Sequence, residues 1–233
     1  MEKTKNQPGV STPTNIWQNP WFMVPTLLYL NASLAIAFFV PHGEEVLWFN
    51  HWRFEPLNTI FRFTTLFGEV FAYVGWGLFF MCWRYRLALI IALAGLMTIP
   101  TVHVLKRKIG SPRPATYFEK QARRDALVIV PEDNPVTGHT SFPSGHTFAA
   151  FSLYPLVALS AEELFRRRRI GLLMALLAIL VGLSRIFLAQ HFLSDILSGA
   201  VLGLGMGSLW WYLGLKLKKY PALERGVLRL QAK

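Results

Sequence analysis

The stretch "RRRRIGLLMALLAILVGLSRIFLAQHFLSDILSGAVLGLGMGSLWWYLGLKLKK", residues 166–219, decides the fold. It holds two apolar runs, 170–188 and 192–215. Each has roughly the 20 residues needed to cross about 30 Å of hydrocarbon. Basic residues stand at both outer ends: Arg166 to Arg169 before the first run, and Lys216, Lys218 and Lys219 after the second. Where the runs meet, Ser184, Arg185, His191 and Asp195 break the apolar character. Such side chains are costly within a bilayer and ordinary at its edge. The pattern is a helical hairpin whose two ends share one membrane face while its polar turn lies at the other.

Working outward, four more runs read as spans: residues 21–40, 66–83, 87–105 and 146–164. Between the first two lies "HGEEVLWFNHWRFEPLNTIFR", residues 42–62, in which aromatic and charged residues alternate. That mixture suits a helix lying along the bilayer surface. Composition agrees, because only 16% of the chain is charged, against about 25% in soluble domains. The expected fold class is all-α: a polytopic membrane protein with six transmembrane helices, an interfacial helix and an outer-face active-site loop. Residues 1–18 are polar, and no cleavable signal peptide is read there. Cys82 is the lone cysteine, which excludes an internal disulfide and a cysteine-based zinc site.

The net charge of +11 raises nucleic acid as a partner. The cations cluster at span ends instead, where they report topology and anionic lipid, so no nucleic acid is expected. The short turns around residues 83–86 and 166–169 are strongly basic, as are the chain before the first span (Lys3, Lys5) and after the sixth. The positive-inside rule puts all four groups in the cytoplasm. Residues 1–20 then form a cytoplasmic tail, 21–215 the six-span domain, and 216–233 a basic cytoplasmic tail. Both termini are inside, and the loops 106–143 and 184–191 share the outer face, in a bacterial-type inner membrane. The outer loop breaks the rule, for it carries Lys106, Arg107, Lys108, Arg113, Lys120, Arg123 and Arg124. Cations on that side, converging with a second polar loop, point to an anion site.

Three pieces fall on this face. His191 and Asp195 are four apart, so on a helix they share a face and can hydrogen-bond. A carboxylate holding one ring nitrogen leaves the other as nucleophile or base; taken alone, the pair equally serves as a satisfied helix cap. In "FPSGHT", residues 142–147, Ser144 is a natural N-cap. The backbone N–H groups of Gly145 and His146 would then point outward at a helix N-terminus, a ready phosphate site. The third piece, "KRKIGSPRP", supplies Lys106 and Arg113, a point charge and a planar fork; Arg185 adds a third cation. Cations, N–H donors and two histidines facing one volume meet the needs of phosphoryl transfer.

These pieces resemble the type 2 phosphatidic acid phosphatase family, which also includes soluble vanadium haloperoxidases. Its signature, K-x6-R-P, P-S-G-H and S-R-x5-H-x3-D in that order, is matched by Lys106, Arg113 and Pro114; Pro143, Ser144, Gly145 and His146; Ser184, Arg185, His191 and Asp195. The resemblance covers about residues 44–211 and implies roles. His191 attacks phosphorus to form a phosphohistidine, Asp195 holds it, and His146 is the general acid. Lys106, Arg113, Ser144, Gly145, His146 and Arg185 bind phosphate oxygens. It implies no metal and no cofactor, and a membrane lipid phosphate or pyrophosphate as substrate: undecaprenyl pyrophosphate, phosphatidylglycerol phosphate, phosphatidic acid or lipid A.

Outside the signature, Glu69 reads either as a substrate or cation ligand or, more simply, as a residue snorkelling at the interface. His103 with Pro100 reads as a kink. His139, Arg123 and Arg124 read as loop charge that could meet a headgroup; Ser184 belongs to the signature without an assigned chemistry, and packing explains it equally well. The small residues of "SGAVLGLGMGS" allow close helix approach. Two competing functions remain: a lipid-to-lipid phosphotransferase, and a non-catalytic lipid-binding or transport protein. A transporter is expected to hold polar groups near the midplane, whereas here they cluster at one surface.

Overall fold

The computed structural model describes residues 13–130 and 135–230, and its regular elements are all helical. They are α1 (Pro20–Phe39), α2 (Glu44–His51), α3 (Glu55–Thr65), α4 (Val70–Met81), α5 (Tyr85–Ile109), α6 (Pro114–Lys120), α7 (Gly145–Phe165), α8 (Ile170–Phe187), α9 (Leu193–Lys216) and α10 (Val227–Leu230). Five of the helical stretches are long and apolar enough to cross a membrane, and a bent pair makes a sixth. Lys3 and Lys5, two of the basic residues read as cytoplasmic, lie outside the described residues.

α7 is the axis of the bundle. Residues 147–161 are buried without interruption, which explains why this helix shows no apolar stripe: a helix hydrophobic all round is surrounded by others. α5, α8 and α9 pack around it. α9 comes closest, through glycines spaced four apart on one face. A Cβ built on Gly203 would stand 2.4 Å from the Phe148 carbonyl oxygen, so only glycine admits this approach. The small-residue run therefore packs as read from the sequence. The outer surfaces of α1 and α4 expose Leu28, Phe38, Phe39 and Phe71, apolar cover that water would not tolerate and lipid does.

The second span departs from expectation. Residues 66–83 do not form one straight helix: a 3-10 turn at Leu66–Gly68 and an extended Glu69 interrupt them. α4 alone has 12 residues, about 18 Å at 1.5 Å per residue, too short to cross. Taken together with Glu55–Gly68, from which it is bent by 56°, it is long and apolar enough for one span. The interfacial helix expected over residues 42–62 is likewise divided. Pro56 has no N–H to donate, and its ring would strike the carbonyl of Trp52, so the chain opens at Phe54 and restarts with proline in the first turn. Only α2 remains of that element as read. α3 packs on α8, with the rings of Phe61 and Phe187 4.4 Å apart.

Two further differences are smaller. α5 runs unbroken through Pro100 to Ile109, so Lys106 sits on its last turn rather than in a loop. Gly110, left-handed at φ +61°, ends it. At the opposite end of the bundle, Arg86 is fully buried and pairs with Glu163 and Glu224. Arg84 and Lys218 join the same cluster, each 3.3 Å from a carboxylate oxygen, of Glu224 and Glu163 respectively. The basic turn of residues 83–86 thus clamps α5, α7 and the chain after α9 to one another.

Candidate active site

All the signature residues gather at the other end of the bundle. The antiparallel course of the helices requires it, since the C-terminal ends of α5 and α8 and the N-terminal ends of α7 and α9 meet there. Six of the signature residues line the polar mouth of a cavity of about 970 Å³: Lys106, Arg113, Gly145, His146, Arg185 and His191. From the mouth the cavity continues between α4 and α5, past Val74, Leu78 and Met81 on one side and Ile99, Leu96 and Ala92 on the other.

His191 lies in the turn between α8 and α9, 1% exposed. Its Nδ1 is 3.4 Å from Asp195 Oδ2, a long contact for a hydrogen bond, of the kind that tightens when substrate binds. The same carboxylate oxygen accepts the Phe192 N–H at 3.0 Å and the Ser141 hydroxyl at 2.5 Å. Asp195 is therefore oriented by two donors besides the ring. Burial pushes the His191 imidazole down to about 3; Asp195 opposes the shift, and the Arg185 and Arg113 guanidiniums reinforce it. The ring is thus neutral at physiological pH, with a lone pair to give.

Backbone and side-chain oxygens hold the cations in place. Lys106 Nζ donates to the Thr140 carbonyl at 2.8 Å. Arg113 Nη1 donates to the Gln190 carbonyl at 3.2 Å, and its Nε to Thr140 Oγ1 at 3.4 Å. Arg185 Nη1 donates to Thr65 Oγ1 at 2.6 Å. For Lys106 and Arg113 these partners are neutral, which leaves their charge available to an anion. Gly145 and His146 open α7, and the first N–H groups of a helix lack intrahelical acceptors.

Ser144 stands at the N-cap position, but its side chain makes no cap hydrogen bond. Its hydroxyl lies 2.9 Å from Thr147 Oγ1 and is fully buried; it is absent from the cavity wall. Ser184 donates to its own helix, at the Val181 carbonyl, 2.7 Å away. His139 lies 3.1 Å from Lys120, Arg123 pairs with Glu44 at 2.7 Å and Arg124 with Glu119 at 3.2 Å. None of these three borders the cavity, whereas His103 does. Among the described residues no group of three or more His, Cys, Asp or Glu side chains is placed to hold a metal ion.

Glu69 takes a position the sequence did not favour. It lies on the cavity wall with Oε1 3.3 Å from His146 Nε2. Ser141 and Gln190, both beside the site, carried no sequence signal beyond adjacency to the signature.

Comparison with known proteins follows the same lines. The sequence profile of the PAP2 superfamily matches residues 83–219, more than half of the chain. Phosphatidylglycerophosphatase B of Bacillus subtilis (strain 168) is 36% identical over 69 residues, 28% of this chain and 34% of that protein. Undecaprenyl-diphosphatase BcrC of the same organism is 35% identical over 77 residues, 33% of this chain and 37% of that one. The match thus spans about a third of the length of these two relatives. Among solved structures, Aquifex aeolicus LpxE superposes with a TM-score of 0.57 at 26% identity, over 76% of this chain and 96% of that one. The transmembrane PAP2-type phosphatidylglycerolphosphate phosphatase of Bacillus subtilis shares the fold, at 23% identity with a TM-score of 0.55, over 86% of this chain and 99% of its own. Helical architecture, ordered signature and profile match agree: this multi-pass membrane protein belongs to the PAP2 superfamily.

Proposed function

We propose that the protein is a lipid phosphatase, hydrolysing the phosphate ester or anhydride of a membrane lipid through a phosphohistidine on His191. One observation carries this reading: Lys106, Arg113, Arg185, His146 and His191 line the mouth of a single cavity that continues as an apolar groove between α4 and α5. The mouth is built for a phosphoryl group and the groove for a hydrocarbon chain.

In the first step, His191 Nε2 forms a bond to phosphorus as the bond to the bridging oxygen breaks. The electron pair stays on that oxygen, which takes a proton from His146. Asp195 stabilises the positive charge arising on His191 through Nδ1. In the second step a water attacks phosphorus and gives its proton to His146. The N–P bond breaks, phosphate departs and His191 is neutral again. Lys106, Arg113, Arg185 and the N–H groups of Gly145 and His146 neutralise the equatorial oxygens throughout.

The charge pattern supports a bacterial-type inner membrane, with the site facing outward and both termini in the cytoplasm. The clamp around Arg86 would then face inward. On this reading residues 21–215 are the phosphatase domain and the flanking residues its cytoplasmic tails.

The test is phosphate release by purified protein from a panel of lipid phosphates and pyrophosphates in detergent, with and without EDTA. We expect release that EDTA leaves intact and that His191→Ala abolishes. Undiminished release by His191→Ala would remove the nucleophile, and loss of activity in EDTA would contradict a metal-free reaction.

A further inference from the structure

The bend in the second span delivers a carboxylate to the site. Its hinge is clamped from several sides: Thr65 accepts from Arg185 at 2.6 Å, and the Phe67 carbonyl accepts from Tyr154 OH at 2.8 Å. Gly68 is pressed against the start of α7, where a Cβ would stand 2.9 Å from the His146 carbonyl oxygen and 3.1 Å from its Cβ. No larger residue fits there without displacing its neighbours. Held this way, Glu69 places Oε1 3.3 Å from His146 Nε2, with both side chains about a third exposed to the cavity. Arg185, His191, Lys106 and Arg113 line the same cavity as Glu69 and His146. Three are cations, and Glu69 is the carboxylate that answers them at the ring.

We propose that Glu69 is a positioning residue for the general acid: it accepts the Nε2 hydrogen bond of His146, fixes the ring, and adapts the site to phosphate monoesters whose leaving group is an alkoxide. The inference rests on the phosphatase reading and goes beyond it. With Nε2–H donated to Glu69, the acid is the His146 imidazolium, paired with Glu69 and the bound phosphate anion, and the proton delivered in the first step is the one on Nδ1, which leaves a neutral ring. That proton passes to the bridging oxygen as the P–O electron pair arrives there. In the second step Nδ1 recovers a proton from the attacking water. An alkoxide is too basic to leave without that proton, so such substrates depend on a well-held acid. A phosphate leaving group depends on it far less, and its added negative charge would meet the Glu69 carboxylate.

Replacing the bridging oxygen by sulfur provides the test, because a thiolate leaves without protonation. The probes are dioctanoyl phosphatidate, its bridging-sulfur analogue and farnesyl pyrophosphate, with wild type and Glu69→Gln in detergent micelles. We expect Glu69→Gln to lower kcat on the oxygen ester by about 10–100-fold and on the sulfur analogue by less than about 3-fold, with KM little changed. Its melting temperature should match wild type. Equal loss on both esters, a fall in melting temperature with such a loss, or an unaltered kcat on the oxygen ester overturns the proposal. Wild type that cleaves farnesyl pyrophosphate but not the phosphatidate also overturns it. Wild type that cleaves none of the three defeats the phosphatase reading itself.

Discussion

The hydroxyl of Ser141 donates to Asp195 Oδ2 at 2.5 Å and also lies 3.4 Å from His191 Nδ1. It fastens the carboxylate of one signature piece to the segment just before another, across 54 positions of sequence. Both side chains are buried, so the bond is shielded from water and sets the angle at which Asp195 meets the ring.

Removing that hydroxyl should therefore loosen the nucleophile without removing it. Ser141→Ala is expected to lower kcat by about 3–10-fold with KM nearly unchanged. On the proposed mechanism Asp195→Asn removes the charge that would stabilise a phosphorylated ring, and it should cost about 100-fold or more. Steady-state kinetics on whichever lipid phosphate is cleaved fastest checks both. A Ser141→Ala enzyme with wild-type kcat would show that the hydroxyl does not orient Asp195.

The depressed His191 has a consequence for stability. Between about pH 3 and 6.5 the unfolded chain binds a proton at this imidazole while the folded protein does not. Unfolding then takes up a proton, so the His191 contribution makes stability fall as pH drops through that window. His191→Gln abolishes the term. Its melting temperature should decline less than that of wild type between pH 7 and pH 4.5, measured by thermal denaturation in detergent. Parallel declines would mean that the folded imidazole titrates normally.

The contact between α7 and α9 predicts a sharp difference between two glycines on one helix. Gly203→Ala puts a methyl 2.4 Å from the Phe148 carbonyl oxygen, whereas a Cβ on Gly205 meets nothing within 4 Å. Gly203→Ala should destabilise by about 1–3 kcal/mol through overpacking. Gly205→Ala should be neutral or slightly stabilising, since alanine is the better helix former. Equal melting temperatures for the two variants would contradict the close approach.

At the opposite end, Arg86→Met should destabilise by about 3–5 kcal/mol, because it leaves buried carboxylate charge short of a partner. The double variant Arg86→Met with Glu163→Gln should recover part of the loss. A lack of coupling between them would mean that the pair is not buried as described.

Several of these relationships could not have been read along the chain. Residues 170–188 and 192–215 announce themselves as spans because hydropathy is local, and the basic ends of each run report sidedness for the same reason. The signature residues were legible because each piece carries its chemistry in a short spacing: four positions bring His191 and Asp195 together on a helix, and the run from Pro143 to His146 starts one. Residues 66–83 are apolar enough to pass for a straight span. Nothing in their composition encodes the 56° bend at residues 66–69, where Gly68 packs against the start of α7.

From the sequence alone came an all-helical membrane protein with a cationic, two-histidine cluster at one surface, since apolar run length, charge placement and motif spacing are properties of neighbouring residues. The tertiary structure alone decided that Glu69 faces His146, that Ser141 holds Asp195, that the Ser144 hydroxyl turns away from the cavity, and that an apolar groove runs from the mouth between α4 and α5. Those contacts join residues that no periodicity links, and they exist only once helix packing has fixed which side chains share a volume.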